Sequence, residues 1–271
     1  MIHRLTGSFL LVLFLCTCSS NESNKYRKSA DTYVLIHGGF HSAWCWDKLK
    51  PLLEARGFHV VTPSYPVGGK EFFSYADSIG AWLATRQRPV ILLGHSSGGM
   101  VISELAKRYP DKIKGLIYLS AFLLPEGMSP PQILKGDPQS IMQSSLIIDE
   151  QNQVMRVNKN KAKRLFYEDC DDATAEWAIK QLRAEPLVPH SGGDQTLQGD
   201  TSAAAFMRRF YIETLDDRAL GIASQRKMQA LMPCEKVYTL KSGHSPFLSQ
   251  PDSLAAILAE ISIALNIKQN K

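Results

Sequence analysis

The chain has 271 residues, of which 44% are hydrophobic and 21% are charged. This composition excludes an intrinsically disordered chain, and the length fits one domain that carries an inserted subdomain. The formal net charge is +5, and the densest basic run, Lys159–Arg164, contains no aromatic residue. Because no nucleic-acid-binding motif accompanies it, we interpret this run as a solvated helix start and predict no nucleic-acid partner.

Residues 1–18 have the pattern of an export signal, with a positive charge at Arg4 and an apolar run that starts at Phe9. The run is too short to span a bilayer. The last four residues of the segment, LCTC, resemble a bacterial lipoprotein cleavage box and predict a lipid anchor at Cys18. Residues 19–30 then form a polar tether. We therefore predict that the protein is exported to the bacterial cell envelope as a lipoprotein. The alternative is ordinary secretory cleavage without a lipid, which would give a periplasmic or secreted protein.

The next hundred residues alternate between apolar runs of strand length and segments with helical periodicity. Such alternation predicts crossover connections and a parallel sheet with helices on both faces. The predicted strands are residues 32–36, 59–62, 89–93 and 113–119, and the predicted helices are residues 44–56, 72–85 and 97–108.

This alternation of predicted strands and helices stops after residue 121 and resumes at residue 209. Residues 122–205 contain six prolines and show no strand rhythm, so we predict a helical cap inserted into the sheet domain. Its clearest helices are residues 161–167 and 173–183. The main domain, residues 31–271, then continues with strands 209–214 and 236–240 and helices 224–231 and 253–266.

Cys45, Cys170 and Cys234 are the cysteines that follow the leader, and no two of them have metal-ligand spacing. We therefore predict free thiols and no metal site. The chain also contains no phosphate-binding loop and no dinucleotide fingerprint, so no cofactor is expected.

The sequence Gly94-His95-Ser96-Ser97-Gly98 matches the pattern G-x-S-x-G between a predicted buried strand and a predicted helix. A sharp turn at this junction strains the backbone and lifts the serine hydroxyl above the sheet edge, and flanking glycines provide clearance. The start of the helix favours negative charge at the same place. This context makes Ser96 the candidate nucleophile.

A serine hydroxyl needs a base to accept its proton, and His244 is the best candidate. It follows the last predicted strand, so it should lie over the same edge of the sheet as Ser96. The competing histidines are His41, His59, His95 and His190, none of which combines these features.

The base in turn needs a carboxylate that orients it. Asp216 and Asp217 follow the predicted strand 209–214 and lie between Ser96 and His244 in the chain, which is the order serine, acid, histidine. The residues alone leave both aspartates open.

The negative oxygen of an acyl-transfer intermediate needs two backbone donors. The amide of Ser97 is one candidate. The other is the amide of Gly39, in the loop after the first strand, where two consecutive glycines permit a close approach. His37 is expected to hold this loop by hydrogen bonds.

Three stretches together resemble a known family: VLIHGGFHSAWCWDKLKPLLEARGFHVVTPSYP (34–66), VILLGHSSGGMVISELAKRYPDKIKGLIYLSAF (90–122) and SGHSPFLSQP (242–251). They are similar to α/β-hydrolases of the plant methylesterase and hydroxynitrile lyase group and to their bacterial esterase relatives. The resemblance implies the α/β-hydrolase fold, a mostly parallel sheet with helices on both faces and an inserted helical cap. It also places Asp217 at the position of the catalytic acid.

The resemblance implies a serine esterase that acts on carboxylic esters of small, largely apolar molecules through Ser96, His244 and Asp217. Hydroxynitrile lyases of this group tend to carry a threonine in the first loop and a lysine after the histidine, whereas this chain has Gly38 and Ser245. Lyase-type carbon–carbon cleavage and a non-catalytic small-ligand binding protein are the alternative hypotheses.

Overall fold

A computed structural model describes residues 31–64, 72–187 and 207–267 of the chain. The predicted export signal, the tether, Cys18 and His190 lie outside the described residues. Within the described ranges, no helix combines the length and the apolar character needed to cross a bilayer. No group of three or more potential metal ligands is found in those ranges either.

The main domain is built on a six-stranded sheet. Its strands are β1 (Thr32–Ile36), β2 (His59–Val61), β3 (Val90–His95), β4 (Ile113–Leu119), β8 (Arg209–Thr214) and β9 (Lys236–Leu240). Their order in the sheet is β2-β1-β3-β4-β8-β9, and every neighbouring pair is parallel. Strands that are buried on both faces read as continuous apolar runs, which is why the sequence pattern identified them.

Helices cover both faces of this sheet, close to where the sequence predicted them. They are α1 (Leu49–Ala55), α2 (Phe72–Ala84), α3 (Gly98–Arg108), α8 (Ile222–Leu231), α9 (Pro246–Ser249) and α10 (Pro251–Asn266), with short 3-10 helices at Ala43–Trp46 and Pro110–Lys112.

One predicted helix, residues 44–56, is divided in the structure into the first 3-10 helix and α1. Pro51 explains the division. A proline ring clashes with the carbonyl four residues earlier, here that of Asp47, but it is tolerated in the first turn. The α-helix therefore begins at Leu49.

The insertion between β4 and β8 is helical where predicted but also contains a small sheet that the sequence analysis did not predict. Helix α6 begins at Lys159 with exposed lysines, as expected for the basic run. The insertion comprises α4 (Pro130–Leu134), α5 (Met142–Ser145), β5 (Leu146–Asp149), β6 (Val154–Val157), α6 (Lys159–Phe166), α7 (Asp172–Gln181) and β7 (Glu185–Pro186). The strands β5, β6 and β7 pair antiparallel.

Alternate residues of the central strands enter two separate apolar clusters. In β1, Tyr33 and Leu35 belong to the cluster that includes α6, α7 and α10, and Val34 and Ile36 belong to the cluster that includes α2 and α3. Because all six strands are parallel, their carboxyl ends meet along one edge. The loops after β1, β3, β8 and β9 therefore converge there.

Candidate active site

Ser96 lies on the turn between β3 and α3, and its φ angle is +53°. A non-glycine residue rarely adopts this left-handed conformation. A Cβ on Gly94 would lie 2.5 Å from the Gly98 carbonyl oxygen, and a Cβ on Gly98 would lie 2.6 Å from the Ile36 carbonyl oxygen. Glycine is therefore required on both sides of the serine, as the motif predicted.

Neighbouring backbone holds this strained turn in place. The Ser96 amide donates to the Leu119 carbonyl at 3.3 Å, and the Phe122 amide donates to the Ser96 carbonyl at 3.0 Å. Ser96 is only 8% exposed, and α3 begins two residues later. Its side chain is thus positioned beside a helix N-terminus, where a developing negative charge is stabilised.

His244 and Asp217 form a buried hydrogen-bonded pair, with 2.7 Å between His244 Nδ1 and Asp217 Oδ2. The other Asp217 oxygen accepts hydrogen bonds from the Ala219 and Leu220 amides, at 2.7 and 2.9 Å. The side chain of Asp216 is about half exposed, and its carboxylate lies 3.6 Å from the Lys241 ammonium group. Of the two aspartates that follow β8, the one that contacts the histidine is Asp217, which the family resemblance had placed at the position of the acid.

His95 connects the histidine loop to the serine turn. Its Nε2 donates to the His244 carbonyl at 2.8 Å, because a carbonyl can only accept, and the two imidazole rings lie 4.5 Å apart. This contact places His244 directly beside the turn that carries Ser96.

The glycine loop after β1 closely approaches the serine turn. A Cβ on Gly38 would lie 2.7 Å from the Cβ of Ser96, and a Cβ on Gly39 would lie 3.8 Å from the Oγ of Ser97. His37 Nδ1 donates to the Gly38 carbonyl at 2.8 Å, which confirms its expected role. The structure therefore places Gly39 close to Ser97, next to Ser96, and pairs His244 with Asp217 on a loop that His95 connects to the serine turn.

His41 fixes the same loop through both ring nitrogens. Its Nδ1 donates to the Gly39 carbonyl at 2.8 Å, so its Nε2 must accept the hydrogen bond from the Tyr167 hydroxyl at 2.8 Å. Sequence analysis had considered His41 only as a competing base.

Burial keeps three of the four histidines at the site neutral. It lowers the pKa of His37 to about 4 and that of His41 to about 3, and it lowers the pKa of His95 well below its ordinary value. Of the four histidines, His244 is the one with a carboxylate in hydrogen-bond contact with its ring.

Sequence analysis did not identify the cap residues that contact the site. Phe166 is 2% exposed and stacks on the His244 ring with 5.6 Å between the ring centroids. Glu185 accepts a hydrogen bond from the Phe40 amide at 2.8 Å. An aromatic pair at a helix end, Phe166-Tyr167, was the available signal, but nothing in the sequence tells which loop such a pair covers.

A strained serine turn, a buried histidine–aspartate pair and a glycine loop at one edge of a parallel sheet are the features of an α/β-hydrolase site. The model of the alpha/beta hydrolase family matches residues 33–257. The chain belongs to this family, which confirms the fold that the sequence resemblance implied.

The relatives of the chain include bacterial and plant hydrolases. It is 33% identical over 248 residues to a pyrethroid hydrolase of Sphingobium wenxiniae, covering 85% of this chain and 87% of that protein. It is 31% identical over 252 residues to the putative chloroplastic methylesterase 11 of Arabidopsis thaliana, covering 85% of this chain and 63% of that longer protein. The crystal structure of a pyrethroid hydrolase from Sphingobium faniae JZ-2 superposes with a TM-score of 0.75 at 29% identity, covering 87% of this chain and 98% of the other.

Proposed function

We propose that this protein is a serine hydrolase that cleaves carboxylic ester bonds of small, largely apolar molecules. The observation that carries the proposal is the buried 2.7 Å contact between His244 Nδ1 and Asp217 Oδ2, next to the strained turn of Ser96. The names of the relatives, a pyrethroid hydrolase and a putative methylesterase, support ester cleavage.

In the first half of the reaction, His244 accepts the hydroxyl proton of Ser96 through Nε2 while Oγ forms a bond to the ester carbonyl carbon. Asp217 keeps the proton of the ring on Nδ1 and stabilises the imidazolium that forms. The amides of Gly39 and Ser97 bind the negative oxygen. The bond between carbon and the alcohol oxygen then breaks, and the alcohol leaves with the proton from His244.

In the second half, water replaces the alcohol. His244 accepts a proton from the water molecule, whose oxygen bonds to the acyl carbon. The bond to Ser96 Oγ then breaks, and Oγ recovers its proton from His244. The products are one alcohol and one carboxylic acid, and the enzyme returns to its starting state.

A fluorophosphonate probe and a panel of p-nitrophenyl esters test this proposal. The wild type should be labelled and should turn over esters, whereas Ser96→Ala should lose both properties. Ser144→Ala, on the exposed surface of the cap, is the matched serine control and should behave like the wild type. Labelling that persists in Ser96→Ala would contradict the assignment of the nucleophile.

The lyase alternative has less support at this site. Cyanide release would gain from a cation after the histidine, but the residue there is Ser245, whose side chain is buried. Turnover of mandelonitrile without turnover of any ester in the panel would favour the lyase over the esterase.

We also propose that residues 1–18 direct export and that Cys18 carries a lipid at the bacterial cell envelope. The support is the apolar run followed by the LCTC sequence, with a polar stretch after it. Expression of the full chain with labelled palmitate should give a labelled, membrane-associated product, and Cys18→Ala should remove the label. Export of an unlabelled wild-type protein would favour simple secretory cleavage.

A further inference from the structure

Three hydrogen bonds connect the end of the cap to the loop that follows β1. The Phe40 amide donates to Glu185 Oε1 at 2.8 Å, and the Arg183 amide donates to the Phe40 carbonyl at 2.9 Å. The Arg183 guanidinium also donates to the His41 carbonyl at 2.7 Å. Both peptide groups that flank Phe40 are therefore held by residues more than 140 positions away in the chain.

The peptide group between Gly39 and Phe40 is clamped at both of its polar ends. Its carbonyl oxygen accepts from His41 Nδ1, and its N–H donates to Glu185. The preceding peptide group, which contains the Gly39 N–H, is held at its oxygen by His37 Nδ1. Glu185 is thus the one cap side chain in this clamp, since His37 and His41 belong to the loop itself.

The clamp holds a strained conformation. Phe40 has a φ angle of +64°, which is unfavourable for a residue that has a Cβ. Rotation of the Gly39–Phe40 peptide group would return this angle to the ordinary range, and Gly39 offers little resistance because it lacks a side chain. The hydrogen bond to Glu185 opposes that rotation.

Glu185 lies in an environment that disfavours a carboxylate. Burial raises its pKa above the ordinary value, although the hydrogen bond from Phe40 and the nearby charge of Arg183 act in the opposite direction. Burial of a carboxylate costs free energy unless hydrogen bonds compensate, so the hydrogen bond from the Phe40 amide stabilises Glu185 in this position.

We propose that Glu185 is a positioning residue for the oxyanion hole: by holding the Phe40 amide, it fixes the Gly39–Phe40 peptide group and so restricts movement of the Gly39 backbone. The N–H of Gly39 belongs to the preceding peptide group, which His37 holds, so the two contacts together hold the donor from both sides. This inference rests on the proposed function, in which the Gly39 amide binds the negative oxygen. It assigns the cap an indirect part in the chemistry, through the backbone of the loop that follows β1.

Three substitutions of Glu185 distinguish the effect of its side-chain length from the effect of its negative charge. Glu185→Gln keeps an oxygen at the same distance, Glu185→Asp keeps the charge but withdraws it by one carbon, and Glu185→Ala removes both. Loss of one oxyanion donor costs about 10²- to 10³-fold in kcat, so a displaced donor should cost about 10- to 100-fold in the Ala and Asp variants. KM should change by less than about threefold, because the donor acts mainly in the transition state.

The Gln variant should stay within about threefold of wild-type kcat, because its amide oxygen still accepts from Phe40. Glu150→Ala, which removes an exposed carboxylate elsewhere in the cap, is the matched control and should keep wild-type kinetics. Equal kcat in the wild type and in both the Ala and Asp variants would overturn the positioning role. Equal losses in the Gln and Ala variants would also overturn it, since charge rather than reach would then matter.

Hydrogen exchange provides a readout that does not depend on turnover. Amides of the peptide that spans residues 37–46 should exchange faster in Glu185→Ala than in the wild type, with protection restored in Glu185→Gln. Unchanged exchange would overturn the clamp even if activity fell. Absence of ester turnover by the wild type, with the exchange difference present, would overturn the proposed function and the catalytic part of this inference while the clamp itself stands.

Discussion

Backbone strain in this protein is concentrated around the nucleophile. The described non-glycine residues with a positive φ angle are Phe40, Ser96, Ser120 and Gln153, and the first three lie just beyond the carboxyl ends of β1, β3 and β4. Strained residues persist only where surrounding contacts hold them, and they often mark functional sites. Here, hydrogen bonds from other loops and from the cap hold the first two, so the strain supports the placement of the site.

The first prediction concerns the two neighbouring aspartates. Asp217→Asn should lower kcat by about 10³- to 10⁴-fold, because an amide in this place favours the wrong histidine tautomer. Asp216→Asn is the matched control and should change kcat by less than about twofold, since its half-exposed carboxylate forms a surface ion pair with Lys241. The measurement is kcat for ester hydrolysis by the two purified variants. Comparable losses of kcat in both would contradict the assignment of Asp217 as the acid.

The second prediction compares the two glycines of the loop after β1. Gly38→Ala should abolish activity, because its Cβ would lie 2.7 Å from the Cβ of Ser96, closer than such atoms can approach. Gly39→Ala should be tolerated much better, because its Cβ would make an ordinary contact with Ser97 Oγ at 3.8 Å. The comparison uses kcat/KM and melting temperature of both variants, and greater damage from Gly39→Ala would contradict this geometry.

At the scale of elements, helix α6 and the residues that follow it connect the cap to the site. Phe166, at the end of α6, contacts the His244 ring, the His41 ring and the Phe40 ring. Tyr167 donates to His41. The cap therefore packs on the histidine loop and on the glycine loop at the same time, so its position and that of the candidate catalytic groups are coupled.

The third prediction follows from this packing. Phe166→Ala should lower the free energy of unfolding by about 3 to 5 kcal/mol, as other large-to-small changes of a buried phenylalanine do, and should also lower kcat. Trp177→Ala, in α7, should cost less because that side chain is 38% exposed. Urea unfolding of both variants measures the difference. A smaller loss for Phe166→Ala than for Trp177→Ala would show that the cap does not depend on this contact.

The cap was also the element that the sequence predicted least well. Two of its helices, α6 and α7, were predicted because they are eight and ten residues long and carry a helical pattern. The helices α4 and α5, with five and four residues, were not predicted. The strands β5, β6 and β7 have only four, four and two residues, too few for an alternating pattern to stand out. The turn between β5 and β6 uses Gln153 with a φ angle of +52° in place of the usual glycine, so no turn signal marked the hairpin.

At the scale of the whole molecule, the buried histidines make stability depend on pH. An unfolded histidine has a pKa of about 6.5, whereas burial lowers the pKa of His37 to about 4 and that of His41 to about 3. Below pH 6.5 the unfolded chain therefore binds protons that the folded protein does not. The free energy of unfolding falls as the pH falls through this window. Burial also raises the pKa of Glu185. Near the acidic end of this pH window, protonation of Glu185 in the folded protein therefore offsets part of the loss in the free energy of unfolding.

The fourth prediction is that the protein loses stability between pH 7 and pH 5. Each of these two histidines should contribute a loss of about 2 kcal/mol over this interval, because one pKa unit corresponds to about 1.4 kcal/mol. Urea unfolding at the two pH values measures the change. A pair of measurements at pH 7 and pH 8 provides the baseline, because both histidines are neutral in the folded protein and mostly neutral in the unfolded chain over that interval. Equal stability at pH 5 and pH 7 would show that these histidines are protonated in the folded protein.

The sequence alone determined the sheet, because apolar strand runs and helical periods are local patterns that the parallel core requires. It also predicted Ser96 as the nucleophile and His244 as the base, since a glycine-flanked serine after a buried strand and a histidine after the last strand are local signals. The choice of Asp217 over Asp216 came from the family resemblance, and the tertiary structure shows its contact with His244. Only the tertiary structure decided that Phe166 stacks on the His244 ring and that Glu185 accepts a hydrogen bond from the Phe40 amide. Those features are contacts between segments that are far apart in the sequence, and the local sequence pattern around each residue does not indicate which distant segment it contacts.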